Sequence, residues 1–296
     1  MNGSTTTGDH HRSDRRFAWR VLLPLGLVFI GLLGWLASTY LMGDETITPI
    51  AALNAPDFHS ILIDPQDPDH ILFGSHTGIQ ESHDRGVTWE DGALRNVDAM
   101  QLTVSLDDPE TIYVTGHDVF QVSRDGGQTW RPQVHDLPDT DIHGFTQDLD
   151  NSQRLYAFAN GTFASEDGGA TWRSLPDQPT GSGMLTAGRD VLYSASGPSL
   201  LSSRDRGMTW QTLSTLPSGQ VISLAVSRSD PLTLYAGTPN GIAKSTDGGV
   251  TWTALGPQGV PVVAVTVSST DSGQMLFVSD EGAIYRTDDG GETWRS

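Results

Sequence analysis

The chain contains no cysteine. It forms no disulfide, offers no thiolate to a metal and carries no lipid-modified cysteine, and its redox compartment cannot be read from thiol usage. Lysine is nearly as scarce: Lys244 is the single one in 296 residues. Positive charge is therefore thin, and the formal net charge is −19. Residues 1–42 hold four arginines and two aspartates, a charge of +2, which leaves −21 on the remainder. A domain this acidic repels a phosphate backbone, which argues against nucleic acid as a partner. The plain reading of the charge is solubility, since many of the aspartates sit in turns. Helical periodicity is also missing after residue 45.

One long hydrophobic run is present. Val21 to Met42 is 22 residues without a charge, long enough to cross a bilayer as a helix. Arg12, Arg15, Arg16 and Arg20 precede it, and Asp44 and Glu45 follow. The asymmetry predicts a cytoplasmic tail over 1–20, a transmembrane signal-anchor helix over 21–42, and a periplasmic or extracellular remainder. A cleavable signal peptide is the rival reading. Its apolar region would be shorter, and no A-x-A site follows the run.

The remainder is a repeat. "SHDRGVTW" (Ser82–Trp89), "SRDGGQTW" (Ser123–Trp130), "SEDGGATW" (Ser165–Trp172), "SRDRGMTW" (Ser203–Trp210), "STDGGVTW" (Ser245–Trp252) and "TDDGGETW" (Thr287–Trp294) all fit Ser/Thr-x-Asp-x-Gly-x-Thr-Trp. The closing tryptophans are spaced 41, 42, 38, 42 and 42 residues apart. Each unit holds four short β-rich runs separated by turn chemistry, including Asp-Pro at Asp64–Pro65, Asp108–Pro109 and Asp230–Pro231. A four-strand unit of this period, repeated radially, predicts a β-propeller. Residues 45–296 divide into six units of 42. The expected fold is an all-β six-bladed β-propeller of four-stranded antiparallel blades, preceded by one transmembrane helix. The last unit ends almost at its tryptophan, so "TITPIAAL" (Thr46–Leu53) is expected to pair into it and close the ring.

The six copies resemble the Asp-box, or bacterial neuraminidase repeat. Asp84, Asp125, Asp167, Asp205, Asp247 and Asp289 would hold tight turns through backbone N–H groups. Trp89, Trp130, Trp172, Trp210, Trp252 and Trp294 would fill gaps between sheets. The resemblance implies a propeller. It does not imply one function, because sialidases, sortilin-like receptors, xyloglucan-cleaving enzymes and photosystem II assembly factors all carry the motif. The chain is similar to the assembly factors in size and repeat type, and departs from them in having six blades rather than seven and no arginine-rich face. It also resembles membrane-anchored bacterial proteins classed as sialidase-like or glycosyl-hydrolase-like by repeat content.

Asp-boxes and Asp-Pro turns share one face of such a propeller. Binding residues are expected on the other, around the channel mouth. There, His59, Met100 and His143 fall at one equivalent place, the start of the inner strand near the channel mouth. Asp57, Asp98 and Asp141 each sit two residues earlier, and His76 and His117 are equivalent to each other after the second strand. In the fourth unit Met184 takes the inner-strand place. Imidazole suits zinc, copper, iron and nickel, and a thioether favours copper. A metal site made from His59, His76, His117, His143 and Met100, holding copper or zinc, is therefore one expectation. Channel-lining polar residues with hydrogen-bonded partners are the other. His70 and His83 belong to the Asp-box face.

The reading of function is a membrane-anchored, non-enzymatic binding, scaffold or assembly protein with a protein or glycan partner outside the cytoplasm. The alternative is a sialidase-like or other glycoside hydrolase using acidic residues of the same face. Against it, Arg95, Arg154, Arg189, Arg228 and Arg286 look scattered rather than grouped to grip a carboxylate. Asn160–Thr162 is a formal glycosylation sequon that reads as a strand-to-strand turn.

Overall fold

Among the described residues the strands are short and rich in Val, Ile, Leu, Tyr and Phe, and most are bounded by Gly, Asp, Asn or Ser, a pattern that favours sheets over helices. The computed structural model describes residues 1–3, 47–179 and 183–295. The expected tail beyond residue 3 and the apolar run 21–42 lie outside the described residues. Among the described residues no helix is long and apolar enough to cross a membrane.

After β1 (Ala51–Ala52), six four-stranded antiparallel sheets follow in chain order. Blade 1 is β2 (Ser60–Ile63), β3 (Ile71–Ser75), β4 (Gly78–Ser82) and β5 (Glu90–Arg95). Blade 2 is β6 (Gln101–Val104), β7 (Ile112–Gly116), β8 (Val119–Ser123) and β9 (Arg131–Pro132). Blade 3 is β10 (Gly144–Gln147), β11 (Leu155–Phe158), β12 (Thr162–Ser165) and β13 (Arg173–Ser174). Blade 4 is β14 (Thr186–Gly188), β15 (Val191–Ser196), β16 (Ser199–Ser203) and β17 (Gln211–Thr215). Blade 5 is β18 (Ser223–Val226), β19 (Leu234–Thr238), β20 (Gly241–Ser245) and β21 (Thr253–Gly256). Blade 6 has β22 (Val262–Val267), β23 (Met275–Ser279) and β24 (Ala283–Thr287). The first strands of the six blades neighbour one another around a central channel, with a cavity of about 150 Å³.

The ring closes through the N-terminal segment. In β1, Ala51 pairs with Ile284 and Ala52 with Ala283 of β24, flanked by amides of Ile50 and Leu53 bonded to Ile284 and Gly282 carbonyls at 2.8 and 2.9 Å. The chain end adds a bridge between Arg295 and Arg286. The outer edge of blade 6 is thereby paired rather than left as an open strand.

Between each pair of neighbouring blades lies one apolar cluster, and each receives one Asp-box tryptophan. Trp89 joins Ile63, Phe73, Leu276 and Ile284 between blades 6 and 1, Trp130 lies between blades 1 and 2, and Trp172 packs with Phe120 and Phe145 between blades 2 and 3. Trp210, Trp252 and Trp294 complete the series. Tyr156, Tyr193 and Tyr235, at one second-strand position, are among the most buried side chains.

The boxes share one bonding scheme. In the third, Ser165 Oγ accepts the Gly169 amide at 2.9 Å and donates to Asp167 Oδ1 at 2.8 Å. Asp167 also accepts the Thr171 amide at 2.9 Å and the Thr171 hydroxyl at 2.6 Å. The hydroxyl-to-carboxylate bond recurs in the other five copies at 2.5–2.6 Å. These donors hold all six carboxyls below the usual carboxylate range, the threonine hydroxyl contributing most in the first five and the Thr287 hydroxyl in the sixth. The turn needs two successive positive φ values, 73° and 92° at Gly168 and Gly169. In two copies the first is not glycine: Arg85 has φ 68° and Arg206 φ 62°, a backbone region that disfavours residues with a Cβ.

Candidate functional site

The face opposite the Asp-boxes is built by two connections in each blade, the turn from second to third strand and the entry into the first strand. These cross between blades. The Ala99 amide at the entry to β6 bonds to Ser75 O in blade 1 at 2.9 Å, and Ile142 at the entry to β10 bonds to Gly116 O in blade 2 at 3.2 Å. The approach between blades 1 and 2 is close enough that a Cβ on Gly74 would lie 2.3 Å from Ala99 O, and within blade 2 one on Gly116 would lie 2.0 Å from Asp98 O. Asp98 is thereby laid against His76 of the preceding blade as well as His117 of its own, and Asp141 against His117 of the preceding blade.

The result is an arc of alternating carboxylates and imidazoles over blades 1 to 3. Asp57 accepts the His76 amide at 2.8 Å and contacts His76 Nδ1. His76 Nε2 lies 3.6 Å from Asp98 Oδ2, and the same oxygen meets His117 Nδ1. His117 Nε2 lies 3.2 Å from Asp141 Oδ1, which His143 Nε2 approaches to 3.0 Å. His59 Nε2 lies 3.6 Å from Asp57 Oδ1 and 3.9 Å from Asp98 Oδ1. Burial pulls the His59 imidazole below its ordinary pKa, against the raising effect of Asp98. His59 Nε2, Asp98 Oδ1 and Asp141 Oδ1 are buried atoms without a hydrogen-bond partner among the described residues.

The structure thus gathers His59, His76, His117, His143, Asp57, Asp98 and Asp141. Three overlapping sets have donor atoms within 4.8 Å of one another: Asp57, His59 and His76; His76, Asp98 and His117; and His117, Asp141 and His143. Met100 holds the register place of His59 and His143, its amide bonded to Thr115 O at 2.9 Å. The arc stops in blade 3, where Asn160 holds the place of His76 and His117. In blade 4, pairing of Thr186 with Tyr193 makes Gly183, not Met184, the equivalent of His59. His135 turns away: its Nδ1 accepts the Leu137 amide at 3.2 Å, and its ring sits 5.3 Å from that of Phe120.

Two groupings on the Asp-box side were not legible in the sequence. His70 bridges Asp64 Oδ2 at 3.0 Å and Glu81 Oε2 at 3.5 Å, and His83 stacks on it with centroids 4.7 Å apart. The Asp64 and Glu81 hydrogen bonds raise the His70 pKa to about 9 despite burial. Arginines that look scattered are in part grouped: Asp288 lies 3.2, 3.0 and 2.9 Å from Arg85, Arg286 and Arg295. This trio grips a carboxylate of its own chain at the seam between blades 6 and 1. Arg228, from the first turn of blade 5, reaches across the channel and donates to Val104 O of blade 2 at 2.6 Å. Burial lowers its pKa to about 10.

The repeat finds relatives of several kinds. Residues 121–132 match the BNR/Asp-box repeat, and residues 192–296 match the photosynthesis system II assembly factor YCF48 family. No curated protein matches in sequence. Among solved structures, YCF48 bound to D1 peptide is 20% identical with a TM-score of 0.52, covering 83% of each chain. YCF48 from Cyanidioschyzon merolae is 17% identical with a TM-score of 0.51, covering 83% of this chain and 87% of that one. The GH74 xyloglucanase from Xanthomonas campestris is 18% identical with a TM-score of 0.55, covering 80% of this chain. This chain spans only 45% of that enzyme's length. The chain is thus a six-bladed β-propeller with an Asp-box turn in every blade, similar over residues 121–132 to the BNR/Asp-box repeat and over residues 192–296 to the YCF48 assembly-factor family.

Proposed function

We propose that the chain is a membrane-anchored, extracytoplasmic propeller that binds a partner protein and does not turn over a substrate. The observation that carries this reading is the correspondence with YCF48-type propellers, whose length this chain matches almost throughout, one of them bound to a peptide. The proposed docking face is the one with the His/Asp arc, where three carboxylates and four imidazoles are gathered at one sector. The anchor and the extracytoplasmic placement rest on the uncharged run 21–42 and the arginines before it. Because the arc is acidic, the partner segment is expected to carry basic side chains.

The test is photo-crosslinking in intact cells. A crosslinker at Asn160 or Asp118, beside the arc, should capture one partner band. One at Val87 or Val250, exposed on the Asp-box face, should not. Equal capture from both faces sinks the assignment. The glycoside hydrolase alternative draws on the fold of the GH74 enzymes. A glycoside panel releasing product, with loss in Asp141→Asn, would establish it in place of the binding reading.

A further inference from the structure

We propose that His117, His143 and Asp141 form a binding site for one divalent transition-metal ion, with zinc the best match, and that Asp98 orients it. The site does not depend on the partner reading above. Nε2 of His117 and Nε2 of His143 converge on the same oxygen, Asp141 Oδ1, at 3.2 and 3.0 Å. Donors bound about 2.0–2.1 Å from a common ion lie about 2.9 Å apart at right angles and about 3.3 Å apart at the tetrahedral angle. Both observed spacings fall inside that interval. Asp141 Oδ1 is itself shielded from solvent although its side chain is 47% exposed, and it makes no hydrogen bond of good geometry among the described residues, its near neighbours being these two imidazole nitrogens.

The surroundings prepare these donors. His117 presents Nε2 because its Nδ1 faces Asp98 Oδ2. A carboxylate behind a histidine favours the Nδ1–H tautomer and leaves Nε2 free to ligate, as in carboxylate–histidine–zinc arrangements. Asp141 is placed by its own turn, its amide bonded to Asp139 Oδ1 at 3.1 Å, while Thr140 bonds to Asp118 at 2.8 Å. Two imidazoles and one carboxylate suit zinc and its first-row neighbours, whereas calcium and magnesium prefer an all-oxygen shell. No thioether is among the three converging donors, which removes the argument for copper made from Met100. Three protein ligands leave a fourth position open, and the side chains are 36–48% exposed, so a water or a partner's donor can reach it.

The other histidine groups fit less well. His59 is spaced more loosely, at 3.6 and 3.9 Å from its two carboxylates. His70 is held as a cation between Asp64 and Glu81, and a protonated imidazole does not ligate.

The test uses the full-length chain, stripped with a chelator and titrated with zinc or calcium alone, without any partner. Calorimetry and metal content after desalting should give one tight zinc equivalent and no comparable calcium binding. His143→Ala should abolish it. Asp98→Asn should weaken it about 10–100-fold. His59→Ala and His70→Gln should retain it. Melting curves of the metal-free variants check that each is folded, and the near-isosteric Asp141→Asn supplies a second probe should His143→Ala fail to fold. The proposal is overturned by no retained zinc, by unchanged binding in both His143→Ala and Asp141→Asn, or by equal loss in His59→Ala. Because no partner is present, failure here is distinguishable from failure of the docking assignment.

Discussion

Replacing His70 with glutamine should remove a pH-dependent part of the stability of blade 1. His70 is 8% exposed and lies between Asp64 and Glu81, with His83 stacked on it and Glu90 beyond, 3.9 Å from His83. Its pKa rises from 6.5 to about 9 because these carboxylates favour the charged ring. Such a gap corresponds to about 3 kcal/mol, at about 1.4 kcal/mol per unit. A group whose folded pKa is raised binds more protons folded than unfolded. Its contribution is therefore complete below about pH 6.5 and lost as pH rises through about 9. Asp64 acts in another window. Burial alone would push its carboxyl up, but the His70 hydrogen bond and the Gln66 amide bring it below the usual range. Its contribution is lost only on acidification through that lowered value. Denaturant unfolding of wild type and His70→Gln, followed by tryptophan fluorescence, measures the difference directly. The gap in unfolding free energy should shrink by about 3 kcal/mol between about pH 6 and about pH 10. A gap of constant size across that range would refute the reasoning.

Three further outcomes follow from named contacts. Asp288→Ala leaves Arg286, whose side chain is 3% exposed, beside Arg85 and Arg295 without its carboxylate. Removing one partner of such a buried pair costs about 3–5 kcal/mol, and a melting temperature within a degree of wild type would contradict it. Arg206→Gly removes left-handed strain of about 1–2 kcal/mol, offset by about 0.5–1 kcal/mol of glycine chain entropy. Thermal unfolding should show unchanged to modestly higher stability, with no such gain from Arg206→Ala, which keeps the Cβ. Zinc at His117, His143 and Asp141 should bind more weakly as pH falls, because a ligating imidazole must give up its proton. Equal zinc affinity at about pH 7 and about pH 5 in a chelator-competition assay would argue against imidazole ligands.

The propeller was legible because it is periodic. Six copies of one turn, each with a carboxylate, a positive-φ residue and a tryptophan, specify local structure without reference to the rest of the chain, and their number sets the number of blades. His59 and His143 could be aligned on one register position for the same reason: strand pairing has period two, and the blades repeat. What the alignment did not contain was contact between blades. Asp98 stands two residues before Met100 in blade 2, and nothing local indicates that it faces His76 of blade 1. That juxtaposition follows from the Ala99–Ser75 hydrogen bond and from the absence of a Cβ at Gly74. Arg85 and Arg286 are about 200 residues apart and meet at Asp288 only because the ring closes. The His70 pKa is raised first by Asp64, six residues earlier, and further by Glu81 of the next strand, which only the sheet brings within 3.5 Å. Sequence alone determined the repeat, the turn chemistry and which turns share a face, since these depend on neighbours along the chain. The tertiary structure decided which charged groups share a site, because that depends on the packing of one blade against the next.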